Sequence, residues 1–219
     1  MQPKVNVQNM FSTPVMVVDN VLANLAEIED VANNKVYPKY FNQPRWQQER
    51  ENGNGLGTFF FNESVVKEFP LPLRSVVEQL QPHVDAYALA LTRDPNIRAV
   101  PVKDWFIFYD TNSGCIKHHH LYRYVNGIIR VASINVILYI AALESDTLNI
   151  YWPFDSVQTS IGMLFPDDKA HSISLKPNRA IMIPAWVQHG VDTQVRNTRK
   201  IVMSINYEYV NDNPIRGAL

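Results

Sequence analysis

The 219-residue sequence predicts a mainly β protein in which N-terminal helices pack on one face of an antiparallel sandwich or barrel. Three observations lead there. From about Val102 onward, short runs rich in β-branched and aromatic residues follow one another with no helical pattern between them, which argues against β-α-β crossovers. Three of these runs carry one polar and one apolar face. The earlier residues instead hold two patterns at helical spacing, and such stripes need a surface to cover.

The elements follow in order. In DNVLANLAEIEDVANN, Asp19 or Asn20 is a candidate cap for a helix with apolar positions Leu22, Leu25, Ile28 and Val31. The segment YPKYFNQPRWQQERENGNGLG, Tyr37 to Gly57, is rich in Asn, Gln, Pro and Gly and has no sustained period, so it reads as a long surface loop. Ser64 is placed to cap a short helix through SVVKEF. Leu73, Val76, Val77, Leu80, Val84, Tyr87 and Leu91 then keep threes-and-fours spacing, with Pro82 inside the pattern, so a kink or break is expected near Gln81. The strand candidates are DWFIFYD, VASINVILYI, TLNIYWP, HSISLK, AIMIPAW and KIVMSINYEYV. No repeat or linker divides the chain, so one domain over 1–219 is expected, with 1–100 as a helical and loop support region and 101–211 as the β core.

Successive strand residues point to opposite faces. In VASINVILYI, Val131, Ser133, Asn135, Ile137 and Tyr139 oppose the wholly apolar Ala132, Ile134, Val136, Leu138 and Ile140. Thr147, Asn149 and Tyr151 likewise oppose Leu148, Ile150 and Trp152, and Lys200, Val202, Ser204, Asn206 and Glu208 oppose Ile201, Met203, Ile205 and Tyr207. A barrel whose polar faces converge on a lumen, with its apolar faces under the helices, fits these patterns better than a sandwich wetted on one side.

Composition narrows the partners. A formal net charge of −1, with both signs spread along the chain, gives no footprint for nucleic acid or an anionic membrane. The single cysteine, Cys115, excludes an internal disulfide. The opening residues lack a basic stretch followed by an apolar run, so cytoplasmic residence is the expectation. A homodimer is compatible with all of this.

Recognition therefore belongs to a local site, and the histidines mark it. His118 and His120, in CIKHHHLYRY, project to one side of an extended segment and can share a metal ion, with His119 pointing away. His189, in PAWVQHGV, sits at a strand end, where side chains are commonly aimed into a site. In isolation each also suits a solvated loop or a hydrogen-bonded core histidine. The order His-x-His, two two-faced strands, His, then a cation is what binds them into a three-ligand candidate.

From about Trp105 to Val210, that order resembles the iron(II)- and 2-oxoglutarate-dependent oxygenases. Their double-stranded β-helix, a cupin-like jelly roll, carries a His-x-Asp/Glu…His triad followed by an Arg or Lys for the far carboxylate of 2-oxoglutarate. FSTPV, DWFIFYD, SINVILYI and IPAWVQHGV…RKIVMSIN look like a branch of marine bacteria and phages in which the first motif is commonly His-x-His. The resemblance implies a double-stranded β-helix with helices packed on one sheet, and Fe(II) with 2-oxoglutarate as cosubstrate. It implies His118, His120 and His189 as metal ligands, and hydroxylation of a small molecule or peptide. Arg199 and Lys200 compete for the carboxylate, and strand parity favours Lys200, which shares a face with Ser204 and Asn206. Asn135 and Tyr139 are candidates for the other end of the cosubstrate. The segments Tyr37 to Gly57 and Leu121 to Arg130 are candidate lids, and Trp105, Tyr151 and Trp186 are candidate pocket aromatics.

One departure stands out: His120 occupies the place of the usual carboxylate, which leaves a more positive site. Two further readings remain open. One is a cupin-like module that holds a metal or ligand without oxidative chemistry, and the other is a structural jelly roll such as a phage component.

Overall fold

The computed structural model of the chain describes residues 4–10, 13–61, 64–125, 128–151, 169–194 and 198–211. The chain opens with β1 (Lys4–Met10) and β2 (Thr13–Asp19), then α1 (Leu25–Val31), α2 (Tyr37–Phe41), α3 (Pro44–Glu51), β3 (Leu56–Gly57), α4 (Val65–Glu68) and α5 (Pro70–Thr92). The β-rich part runs through β4 (Ile97–Tyr109), β5 (Ser113–His118), β6 (Tyr122–Val125), β7 (Ile128–Val131), β8 (Ile134–Ala141) and β9 (Thr147–Tyr151). It ends with β10 (Lys169–Ser174), β11 (Arg179–Pro184), β12 (His189–Gln194) and β13 (Lys200–Asn211).

A seven-stranded sheet has the order β1-β2-β11-β8-β13-β4-β3, and a four-stranded sheet has the order β10-β9-β12-β5. The named strand pairs in both sheets are antiparallel. This is a double-stranded β-helix, mainly β, with helices packed on its larger sheet.

Two apolar layers follow from the alternation. Ile134, Val136, Leu138, Ile201, Met203, Ile205, Phe106 and Phe108 join the layer under the helices, which α5 completes with Leu73, Val76, Leu80, Val84 and Tyr87. Ile137, Tyr139, Ile181, Ile183 and Val202 face the other way and pack with Leu148, Ile150, Ile173 and Val191 of the smaller sheet. For β8 and β13 the predicted faces hold. For β9 they are reversed: Leu148 and Ile150 turn into the space between the sheets, while Asn149 meets Ser172 on its other face at 2.8 Å. A strand's own alternation does not say which face meets the lumen; the opposing sheet decides. Trp152 lies outside the described residues.

Four further expectations are corrected. The segment from Asp19 is not a capped helix start: Asp19 closes β2, Asn20 takes a left-handed φ of 57°, and α1 begins only at Leu25 after Asn24. The first third is not wholly helical, since β1 and β2 extend the larger sheet. The Tyr37 to Gly57 segment is largely helical rather than a loop. Pro38 and Pro44 stand in the first turns of α2 and α3, where a missing N–H costs nothing, and the helices form without an apolar period, each anchored in the core by one aromatic, Tyr40 in α2 and Trp46 in α3. Finally, α5 runs unbroken through Pro82, and its non-helical residue is Leu71. Pro82 and Glu78 lie on the exposed side of α5, where solvent is at hand for a helix carbonyl left without its usual N–H. The next turn is held to β4 by Gln81, which donates to the Ala99 carbonyl at 2.8 Å.

Ser64 does cap α4, accepting from the Lys67 N–H at 3.1 Å, and it donates to buried Asp104 of β4 at 2.6 Å. No helix among the described residues is long and apolar enough to cross a membrane.

Asp19 ties β2 to β11 through Arg179, with contacts of 2.6 and 3.1 Å, and Lys176 joins at 2.8 Å. Burial disfavours its carboxylate, but the two cations outweigh that and hold its carboxyl below the usual range. A folded pKa below the unfolded value of about 3.9 means that the contribution is present above that value. It is lost as pH falls through the folded pKa. Asp19→Asn is therefore expected to be less stable at pH 7, yet to lose less thermal stability than the wild type between pH 5 and pH 3. Equal acid sensitivity in melting scans would show that Asp19 contributes nothing to it.

Candidate metal centre

His118, the last residue of β5, and His189, the first of β12, stand opposite each other in register. His120 follows just beyond β5, where its N–H donates to the Ala185 carbonyl at 2.8 Å. The three side chains meet: one ring nitrogen from each lies within 4.8 Å of the others. Ring centroids are 4.4 Å apart for His118 and His189, and 5.0 Å for each pair that includes His120. His119 is exposed, as strand parity predicts. The other two histidines stand apart on α5 and β10.

The orientation of two rings is set from behind. His118 Nδ1 lies 2.9 Å from the Ile116 carbonyl, and His189 Nδ1 lies 3.1 Å from the Val187 carbonyl. A carbonyl accepts only, so each Nδ1 carries the proton and each Nε2 keeps its lone pair free for the centre. His118 Nε2 and His120 Nε2 are 3.1 Å apart. Burial, then repulsion from His118, pushes His189 down to about 3. Burial and the neighbouring imidazoles likewise hold His120 well below the usual histidine value. Burial opposes charge on His118 too, but Cys115 and the Ile116 carbonyl outweigh it and raise that pKa. Neutral imidazoles are the form that ligates metal, and three of them suit iron, nickel, copper or zinc.

Cys115 was not among the predicted site residues, yet its Sγ lies 3.5 Å from His118 Nδ1. Parity places residues 115 and 118 on opposite faces. The pairs His189 with His118 and Val191 with Cys115 spend one more residue on β5 than on β12, and that bulge turns both inward while leaving Ile116 77% exposed. Close strand approach here depends on Gly190, since a Cβ at that position would stand 2.9 Å from the Cys115 carbonyl oxygen.

The cosubstrate candidates separate clearly. Lys200 is fully buried, with its Nζ 4.3 Å from the centre of the Tyr109 ring on the lumen side. Arg199 points the other way: it bonds Asp110 at 2.7 Å and Asn33 at 3.3 Å and lies 3.5 Å over the Tyr37 ring. Asn135 donates to Ser204 and Asn206 at 2.9 and 3.0 Å. Its Oδ1 and the Tyr139 hydroxyl are buried without hydrogen-bond partners among the described residues. Such groups are costly unless something else meets them.

Two cavities adjoin the histidines. A small one of about 20 Å³ lies between His118, His120, His189, Tyr139, Val202 and Ser204. A larger one of about 440 Å³ shares His118 and His120 with it and is lined by Trp105, Phe59, Ile107, Lys103 and Asn206 and by Arg45, Glu49, Asn54, Gly55 and Gly57. The Tyr37 to Gly57 segment thus walls the cavity, as a helix and turn rather than as an open loop. The side chains of Tyr122 to Arg130 lie outside those described. Of the candidate aromatics, Trp105 lines this cavity, whereas Tyr151 sits under Lys117 at 5.0 Å and Trp186 is 42% exposed.

No family model matches the sequence, and no curated protein matches it. Solved structures do share the architecture. HygX from Streptomyces hygroscopicus, solved with nickel and 2-oxoglutarate bound, aligns with a TM-score of 0.56 at 13% identity, over 89% of this chain and 82% of its own. AviO1 from Streptomyces viridochromogenes aligns at 0.55 and 12% identity, over 88% of each chain. The viral collagen prolyl hydroxylase of Paramecium bursaria Chlorella virus-1, in complex with 2-oxoglutarate, aligns at 0.52 and 10% identity, over 88% of this chain and 94% of its own. The chain shares their fold.

Proposed function

We propose that the protein is a non-haem iron(II)- and 2-oxoglutarate-dependent dioxygenase that hydroxylates a small molecule or a peptide side chain. The observation that carries this reading is the convergence of His118, His120 and His189 between the sheets of a double-stranded β-helix. With Fe(II) and 2-oxoglutarate bound, such a centre supplies oxygen activation coupled to loss of carbon dioxide from the cosubstrate.

The chain's own residues would do the rest. The three imidazoles hold the ion, and the Ile116 and Val187 carbonyls keep two of them aimed. Three neutral ligands leave the full divalent charge in place, which a dianionic cosubstrate offsets. Lys200, buried on the lumen side, would take the far carboxylate by a charge-assisted hydrogen bond. The Tyr139 hydroxyl and Asn135 Oδ1 are polar groups still available to the cosubstrate. The 20 Å³ space holds about one water, so 2-oxoglutarate enters only as side chains such as Tyr109 turn aside. The 440 Å³ cavity is of a size for a small substrate, and its aromatic walls limit water near the reacting carbon.

Anaerobic addition of Fe(II) and 2-oxoglutarate tests this. The expected result is the weak visible charge-transfer band of the chelate, with a raised melting temperature. No band, together with unchanged stability on adding either component, would sink the reading. One observation favours a second: among the described residues the cluster contains no carboxylate. Metal uptake without the band would assign a cupin-like metal-binding protein without oxidative chemistry.

A further inference from the structure

His120 differs from the other two histidines in how it is held. Both His118 and His189 have a backbone carbonyl behind Nδ1, whereas His120 Nδ1 has no hydrogen-bond partner among the described residues. Its ring instead lies on the indole of Trp105, with centroids 5.3 Å apart and planes 21° apart. It also stacks with His189, 11° from parallel. Trp105 is itself fixed: it is 4% exposed on β4, with the Phe59 ring edge-on at 5.8 Å. Its Nε1 is buried with no hydrogen-bond partner among the described residues, so at this site tryptophan carries the cost of an unmet donor that phenylalanine would avoid. What the indole offers in return is ring area against His120.

We propose that Trp105 is a positioning residue for the metal centre, setting the ring plane of His120 by stacking where the other two ligands are set by carbonyl hydrogen bonds. The inference rests on the reading of the three histidines as metal ligands. A ligand ring that is free to turn binds more weakly than one held in place, and an aromatic stack also favours the positive charge an imidazole acquires on metallation. The site thereby orients a histidine at the place where a carboxylate stands in the related pattern.

The test is a Co(II) titration of the metal-free protein, following affinity and the visible d–d absorption, with circular dichroism to establish folding. Trp105→Leu and Trp105→Met remove the ring with two different shapes, so one folded variant suffices, and Trp105→Phe restores a smaller ring. Loss of outer support for a ligand typically weakens metal binding about 10- to 100-fold. The non-aromatic variants are expected in that range, with an altered d–d spectrum, and Trp105→Phe is expected to recover most of the affinity and the wild-type band shape. A folded non-aromatic variant with wild-type affinity and spectrum would overturn the positioning role and leave the metal centre intact. Failure of the wild type itself to bind Co(II) would overturn both.

Discussion

Replacing His189 with alanine is expected to lower divalent-metal affinity by more than about 100-fold, because the loss of a ligand exceeds the loss of a residue that merely supports one. His189 is the most deeply buried of the three, at 4% exposure, and it faces His118 across paired strands while stacking on His120. Without it, two partly exposed imidazoles two residues apart remain, a set that water readily completes. His119→Ala is the contrasting variant. His119 is exposed and stands outside the three-histidine cluster, so affinity should change by no more than about twofold, the size of an ordinary surface substitution. Calorimetric titration with Ni(II) checks both, and equal affinities for His189→Ala and wild type would remove His189 from the ligand set.

For Lys200→Ala, with metal bound, the expected result is a rise in the dissociation constant for 2-oxoglutarate of about tenfold or more, since a hydrogen bond to a charged group contributes about 1.5–3 kcal/mol. Arg199→Ala should act on something else. Its guanidinium joins Asp110 and Tyr37 outside the lumen, so its loss should lower the melting temperature more than it weakens the cosubstrate. Binding followed by the chelate band, alongside melting curves, separates the two. Weaker binding in Arg199→Ala than in Lys200→Ala would overturn the role given to Lys200.

Much of this was legible beforehand because alternation and helical period are written in neighbouring residues. The two faces of β8 and β13, the core stripe of α5 and the shared side of His118 and His120 all follow from such local rules. The failures have a common cause. Pairing partners, not a strand's own residues, introduced the bulge that turns Cys115 inward, and the opposing sheet reversed β9. Tyr40 and Trp46, packed into the core, anchor as helices a stretch whose composition suggested a loop.

By itself, then, the sequence determined the mainly β class, the helical cover on one sheet and the spaced histidine pair, because each depends on periodicity alone. Strand parity also pointed Lys200 inward, but only the tertiary structure decided that His189 closes the triangle, that Trp105 stacks on His120, and that Arg199 is held by Asp110. Those facts join residues up to about ninety positions apart, and such contacts depend on strand pairing and packing that no local pattern encodes.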